Sequence, residues 1–230
     1  MSRSIRSERR LREPVQRIVS DAVWRALGRP FDRRLGVRTE GRRQPEDMQT
    51  VGSNAASAYE YAPSPARTFW LSVGSLNIDM KQFTFIDYGS GMGRALLLAG
   101  KLPFKQVRGV EFARELNLVA QDNINAVFGS ESARNRFSLD TIDAVEFEIP
   151  HCPCVLYLFN PFEARIVGQL ADKILRSYRD APREIYVVYV NPKFQDVFER
   201  EAFTPIEGPW YAKYFDRRVP SGFSIYRLHG

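Results

Sequence analysis

The 230-residue sequence is poor in cysteine and histidine, with two of each. Cys152 and Cys154 are separated by a single proline, a spacing that is geometrically unfavourable for a disulfide. These two cysteines lack the further ligands that a metal ion would need, so we predict no metal site. Reduced thiols are typical of the cytoplasm, and we expect a cytoplasmic protein.

Long hydrophobic runs are also lacking. Although 44% of the residues are hydrophobic, no apolar run approaches the roughly 18 residues that a membrane span needs. The start of the chain has no apolar stretch typical of a signal peptide. It is rich in arginine and serine, as transit peptides are, but Glu8 and Glu13 argue against that interpretation. We therefore predict neither a membrane span nor a targeting segment.

Lysine is absent from residues 1–50, which contain 13 arginines and 7 acidic residues, so this segment accounts for the net charge of +6. We predict a basic N-terminal arm and helix over residues 1–55. The helix starts at Pro14 and ends near Pro30, and a polar linker follows to about Asn54. The arm contacts a polyanion such as nucleic acid, or it is a solvated tail followed by a helix that docks on the body. We favour the second interpretation.

Residues 56–230 alternate between β-branched or aromatic runs and helix-forming runs, which indicates one α/β domain. We predict a doubly wound, mostly parallel seven-stranded sheet with an antiparallel C-terminal hairpin, plus the N-terminal helical extension. The predicted strands are 83–87, 106–111, 136–142, 154–159, 184–190, 210–215 and 223–228.

The stretch FIDYGSGMGRALLLAG, residues 85–100, places three glycines between a predicted strand and a predicted helix. Glycine supplies unusual backbone angles and allows close approach to the main chain, so Gly89, Gly91 and Gly93 predict a tight loop. The amides at the start of the following helix suit an anionic or carboxylate-bearing ligand. A close-packed turn without a ligand is the alternative.

Polar residues follow four of the predicted strands. They are Asp87, Glu111, Asp143-Ala144 and Asn160-Pro161-Phe162. In an open parallel sheet, ligands bind beyond the carboxyl ends of the strands, so these residues converge on one crevice. A carboxylate at Glu111, 18 residues after Gly93, is placed to accept both hydroxyls of a ribose.

This order of residues resembles class I S-adenosylmethionine-dependent methyltransferases, over roughly residues 59–228. Within the class, Tyr61-x-Pro63 and Asn160-Pro161-Phe162 resemble a bacterial group of largely uncharacterised members. Two other functions stay open. One is a nicotinamide-dependent oxidoreductase. Such enzymes more often have the motif Gly-x-Gly-x-x-Gly, whereas the third glycine here, Gly93, stands one place earlier, which argues against this function. The other is a non-catalytic nucleotide-binding module with a nucleic-acid-binding arm.

The resemblance implies S-adenosylmethionine as the cofactor and a role for each matching position. The loop around Gly89, Gly91 and Gly93 faces the methionine part, with Asp87 near its amino group. Glu111 holds the ribose. The roles implied for the remaining positions are adenine packing for Phe112, hydrogen bonding to adenine for Asp143 and Ala144, and closure over the cofactor for Tyr61.

The resemblance also implies that Asn160, Pro161 and Phe162 form the catalytic motif. In amine methyltransferases the corresponding motif has a second proline, which this sequence lacks, so the alternative is a turn followed by a core phenylalanine. Neither His151 nor His229 is predicted to lie at the crevice. An acceptor that needs little activation, such as an amine, is therefore favoured, but protein, RNA, lipid, glycan and small molecules all stay open as acceptors.

Overall fold

The computed structural model describes residues 30–41, 43, 48–52, 61–160, 162–200, 202–207 and 222–228. The predicted helix from Pro14 and the predicted strand over residues 210–215 lie outside these ranges. No helix among the described residues is both long and apolar enough to cross a membrane.

The sheet has seven strands in the order β3-β2-β1-β4-β5-β7-β6. β7 pairs antiparallel with β5 and β6, while all other pairs are parallel. This topology confirms the predicted doubly wound, mostly parallel sheet with an antiparallel C-terminal pair. The strands are β1 Thr84–Tyr88, β2 Gln106–Glu111, β3 Phe137–Thr141, β4 Cys154–Phe159, β5 Ile185–Val190, β6 Thr204–Ile206 and β7 Phe223–Leu228.

The α-helices are α1 Ala66–Ser72, α2 Arg94–Ala99, α3 Arg114–Phe128, α4 Ser130–Arg136 and α5 Ala164–Asp180. Short 3-10 helices cover Val73–Ser75, Met80–Gln82 and Gln195–Phe198. Helix α4 has the polar sequence SESARNR, which lacks the apolar periodicity from which a helix is predicted. Residues 30–35 are also helical, where the sequence predicted a polar linker.

Two apolar clusters cover the two faces of the sheet. All residues of β1 and β5, and all but the last of β4, are buried. Strands covered on both faces are expected to be continuously apolar rather than alternating, as β4 and β5 are, while β1 also contains Thr84 and Asp87. α2 is buried along its whole length, and α5 packs one apolar face on the opposite side.

The predicted strand over residues 210–215 lies outside the described residues, whereas a strand not predicted from the sequence, Thr204–Ile206, pairs with β7. It has only three residues and contains a proline, which is tolerated at a sheet edge because no ladder hydrogen bond is lost on the open side. Such a segment has no strand-like pattern in the sequence.

The order of strands creates a crevice at one edge of the sheet. From β1 the chain proceeds outwards to β2 and β3, and then returns to β4 on the other side of β1. The carboxyl ends of β1 and β4 therefore flank the point where the winding reverses, which is where ligands bind in open α/β sheets.

Candidate active site

The loop between β1 and α2 depends on glycine for its conformation. Gly89, Gly91 and Gly93 have φ values of +75°, +52° and +83°, all in the left-handed region that favours glycine. The amides of Gly89 and Ser90 donate to the carbonyl of Val110 at 2.8 and 3.1 Å, which joins the loop to the end of β2. The alternating glycines therefore shape one rigid turn at the crevice.

Two of these glycines also permit close packing. A Cβ atom at Gly91 would lie 2.1 Å from Cε2 of Tyr61, and one at Gly93 would lie 3.0 Å from Cβ of Ala120. The Tyr61 hydroxyl donates to the carbonyl of Thr39 at 2.8 Å, so the ring is held against the loop. Tyr61 thus covers the glycine loop from the N-terminal side of the chain.

Glu111, the last residue of β2, fastens the glycine loop to the sheet. Its Oε2 accepts from the amide of Gly91 at 2.8 Å, and its Oε1 accepts from the amide of Ala113 at 2.9 Å. The side chain is buried, and this burial raises the pKa of the carboxyl to about 7, although the hydrogen bonds from the backbone oppose the shift. Each carboxylate oxygen can accept a further hydrogen bond, so a ligand hydroxyl is accommodated without breaking these contacts.

Asp87 lies beside Glu111 and is equally buried. Its burial, and then the neighbouring Glu111 carboxylate, raise the pKa of Asp87 well above its usual range. No lysine or arginine among the described residues forms an ion pair with either carboxylate. Two adjacent buried acids therefore lie near the carboxyl ends of β1 and β2, and a cationic ligand that reached them would compensate their charges.

A cavity of about 310 Å³ opens at the carboxyl ends of β1, β2, β4 and β5. Six of the residues predicted from the sequence line it: Tyr61, Gly89, Glu111, Phe112, Asn160 and Phe162. Pro161 lies outside the described residues. The structure thus brings together predicted residues that follow three different strands.

The cavity also has walls that the sequence analysis missed. Met48, Arg94 and Leu116 line it near the glycine loop, and Asn191 and Lys193 line it beyond β5. A sequence signal existed for Asn191, because Asn191-Pro192 repeats at the end of β5 the dipeptide Asn160-Pro161 that follows β4. His151, by contrast, lies exposed just before β4, at the opposite end of the strand from the cavity.

Asp143 and Ala144 do not line the cavity. Asp143 Oδ1 accepts from the amide of Val145 at 3.1 Å, which caps the turn after β3. Gly52 lies so close to Asp143 that a Cβ atom there would be 2.7 Å from Oδ2 of the carboxylate. The predicted adenine end of the crevice is therefore covered in this structure.

The covering segment is residues 48–52, which run beside the start of α3. The amide of Val51 donates to the carbonyl of Phe112 at 3.0 Å, and the amide of Arg114 donates to the carbonyl of Gln49 at 3.3 Å. Phe112 therefore contacts residues 48–52 through its carbonyl group, and it also lines the cavity.

Arg94, the first residue of α2, connects the crevice to residues 31–40. It is 4% exposed and forms ion pairs with Asp32 and Glu40, while its Nε donates to the hydroxyl of Thr39 at 2.7 Å. Its guanidinium also lies 4.9 Å from the centre of the Phe31 ring. Since Thr39 also accepts from the Tyr61 hydroxyl, this network positions the ring that covers the glycine loop.

Comparison with solved structures identifies the fold. A protein assigned as a methyltransferase, SMU.472, complexed with S-adenosylhomocysteine, is 13% identical with a TM-score of 0.50 over 74% of this chain and 54% of its own. A protein assigned as an N6-adenine-specific DNA methylase from Listeria monocytogenes is 12% identical with a TM-score of 0.53 over 74% and 52%. The chain thus has the Rossmann-like fold of class I methyltransferases and spans about half the length of these two proteins. No family model and no curated protein sequence matches it.

Proposed function

We propose that the protein is an S-adenosylmethionine-dependent methyltransferase acting on an acceptor that is still to be identified. The observation that carries this proposal is the pair of buried acids, Asp87 and Glu111, beside a left-handed glycine loop at the reversal point of the sheet. S-adenosylmethionine carries an ammonium and a sulfonium charge, so it compensates acids that lack a cationic partner among the described residues. Its product, S-adenosylhomocysteine, is bound in the solved structure of SMU.472.

The residues present fit this cofactor by their chemistry. The glycine loop around Gly89 offers backbone amides to the methionine carboxylate, Asp87 takes the ammonium group and Glu111 takes the ribose hydroxyls. Phe112 packs on the adenine. Hydrogen bonding to adenine by Asp143 and Ala144 requires residues 48–52 to move from their present contact with Asp143.

The chain itself has little chemistry to supply, because a sulfonium methyl is already electrophilic and catalysis consists largely of placing the nucleophile. Asn160, at the cavity after β4, is the residue proposed to orient the acceptor. Glu111 is bound by two amides, and no histidine stands among the described lining residues. This arrangement favours a nucleophile that needs little activation, such as a neutral amine. We also propose a cytoplasmic location and a polyanion contact through the arginine-rich arm.

Calorimetry tests the proposed function directly. We expect S-adenosylmethionine and S-adenosylhomocysteine to bind, and NAD not to bind, because the buried acids favour a cationic ligand over a dianionic pyrophosphate. Tight NAD binding without heat from S-adenosylhomocysteine would contradict the proposal and support the oxidoreductase alternative.

The raised pKa of Glu111, about 7, predicts a pH-dependent affinity. Ligand hydroxyls and the ligand's positive charge favour the ionised carboxylate, so binding expels a proton wherever the free protein holds one. Affinity for S-adenosylhomocysteine should fall as the pH is lowered through 7, with the proton on Glu111 contributing up to about tenfold per pH unit. The Glu111→Gln variant should bind more weakly and lose this contribution, while any contribution from Asp87 remains. An unchanged pH profile in that variant would assign the titration to another group.

The raised pKa of Glu111 also predicts how the stability of the free protein depends on pH. Unfolded Glu111 loses its proton near pH 4.5, whereas the folded protein keeps it up to about pH 7. The folded state therefore binds more protons in this window, and stability falls as pH rises from about 5 to about 7, by up to about 3 kcal/mol. Denaturant titrations of the parent and Glu111→Gln should show this difference, and parallel curves would contradict it.

Residues 48–52 give a fourth test, by amide hydrogen exchange. If the ligand's adenine reaches Asp143, the bonds from Val51 to Phe112 and from Arg114 to Gln49 must break. We expect the exchange of both amides to accelerate when S-adenosylhomocysteine binds. Slower exchange of these amides in the complex would show that the segment stays in place and that the adenine lies elsewhere.

A further inference from the structure

The half of the cavity beyond β4 and β5, which we call the acceptor end, is lined by Phe159, Asn160, Phe162, Asn191 and Lys193. β4 and β5 are parallel, and Phe159 pairs with Val190. Asn160 and Asn191 therefore leave neighbouring strands at the same level. The two asparagines stand side by side at the crevice.

Both asparagines have an unusual backbone conformation. Asn160 and Asn191, with φ values of +41° and +52°, are the only non-glycine residues with positive φ in the described part of the chain. Each precedes a proline, which normally restricts the preceding residue to extended conformations. Non-glycine residues in such conformations concentrate at ligand-binding positions, where the surrounding structure enforces them.

The surrounding structure here does hold both residues. The amide of Asn191 donates to the carbonyl of Gly222 at 2.7 Å, which joins the end of β5 to the start of β7. The side-chain oxygen of Asn160 accepts from the buried hydroxyl of Tyr189 at 3.1 Å. With its oxygen engaged, the Asn160 carboxamide has N–H donors left to offer to a ligand.

The charges along the cavity differ between its two halves. The cofactor half contains Glu111, bound by two amides, and Arg94, paired with two carboxylates. At the acceptor end, Lys193 is the one charged residue among the described lining residues, and no carboxylate lines it. A lysine ammonium has three donors, so Lys193 can bind a ligand oxygen while keeping other contacts.

We propose that the acceptor end is an oxyanion subsite, in which Lys193 and the carboxamides of Asn160 and Asn191 bind a carboxylate or phosphate group of the methyl acceptor. This inference rests on the proposed methyltransferase function and narrows it. The three side chains supply charged and neutral N–H donors, which match oxyanion acceptors. An acceptor whose only charge is positive would meet no carboxylate among the described residues that line the acceptor end. The acceptor is therefore an acidic molecule that carries its nucleophile near an anionic group.

The test uses inorganic phosphate and, separately, acetate as probes, titrated at constant ionic strength into protein with and without saturating S-adenosylhomocysteine. We expect at least one anion to bind saturably. Calorimetry and the NMR resonances of the side-chain amides of Asn160 and Asn191 measure this binding. Lys193 is exposed, so Lys193→Gln should fold normally and should weaken anion binding at least fivefold. Asn191→Asp keeps the side-chain shape but adds a negative charge, and it should weaken anion binding further. The control, Lys101→Gln, removes an equal charge from another exposed lysine and should bind as the parent does.

Equal anion affinity in the parent and Lys193→Gln would overturn the proposal, as would the absence of saturable binding for both anions. Which probe binds more tightly distinguishes a phosphate-bearing acceptor from a carboxylate-bearing one. The titration of S-adenosylhomocysteine, made first, reports on the methyltransferase proposal separately. If it does not bind, the methyltransferase proposal fails, while the anion titrations without it still decide whether the subsite exists.

Discussion

We expect Gly91→Ala to weaken S-adenosylhomocysteine binding by at least about a hundredfold, equivalent to about 2.7 kcal/mol. Gly91 has a φ of +52°, and the new methyl group would lie 2.1 Å from Cε2 of Tyr61, so both backbone and neighbour must shift. The Gly91 amide also holds the Glu111 carboxylate at 2.8 Å. Displacing this residue therefore disturbs the loop, the aromatic cover and the buried acid together. Calorimetric titration of the variant measures the loss.

A matched control separates steric clash from backbone strain. Gly129, between α3 and α4, has a φ of +76°, and a Cβ atom at this position would have no neighbouring atom within 4 Å. Gly129→Ala should therefore lower stability by about 1–3 kcal/mol through backbone strain, since its ψ of 153° places it in a region that is nearly restricted to glycine, and should leave affinity unchanged. Adding Tyr61→Ala to Gly91→Ala removes the clash and should restore part of the binding. Parent-like affinity in Gly91→Ala would show that the loop does not form the cofactor site.

The central parallel strands β1, β4 and β5 could be predicted because they are buried on both faces. Their largely apolar runs, separated by helical periodicity, carry this signal in the local sequence. The edge strand Thr204–Ile206 could not, since three residues with a central proline have no alternation to detect. Its pairing depends on the tertiary position of β7 rather than on its own composition.

The glycine loop and the strand-end residues were predictable for a related reason: the carboxyl ends of parallel strands meet, so Gly89, Glu111 and Asn160 had to share an edge. The contacts made by these residues were not predictable. Glu111 binds the amides of Gly91 and Ala113, so it has a structural role besides the one predicted towards a ribose. The covering of Asp143 by Gly52 joins positions 91 residues apart, and no periodicity or motif reports such a contact.

Arg94 illustrates the same limit and leads to a second large effect. Its partners Asp32 and Glu40 stand 62 and 54 residues earlier in the chain, within the segment predicted as a polar linker. Arg94→Met should destabilise the protein by about 3–5 kcal/mol, because it leaves two carboxylates near a buried site without their cation. For a chain of this size the melting temperature should fall by roughly 6–20 °C. Thermal and denaturant unfolding measure both quantities.

Two further variants test whether charge compensation is the cause. Arg200→Met removes an arginine from an exposed pair with Asp172, whose side chains are 39% and 57% exposed, and it should cost at most about 1 kcal/mol. Combining Arg94→Met with Asp32→Asn and Glu40→Gln removes the unpaired charges and should recover much of the lost stability. The combined variant should still bind S-adenosylhomocysteine more weakly than the parent, because the Arg94–Thr39 hydrogen bond that helps to position Tyr61 is absent. Equal losses for Arg94→Met and Arg200→Met would instead mean that residues 31–40 contribute nothing to the crevice through this network.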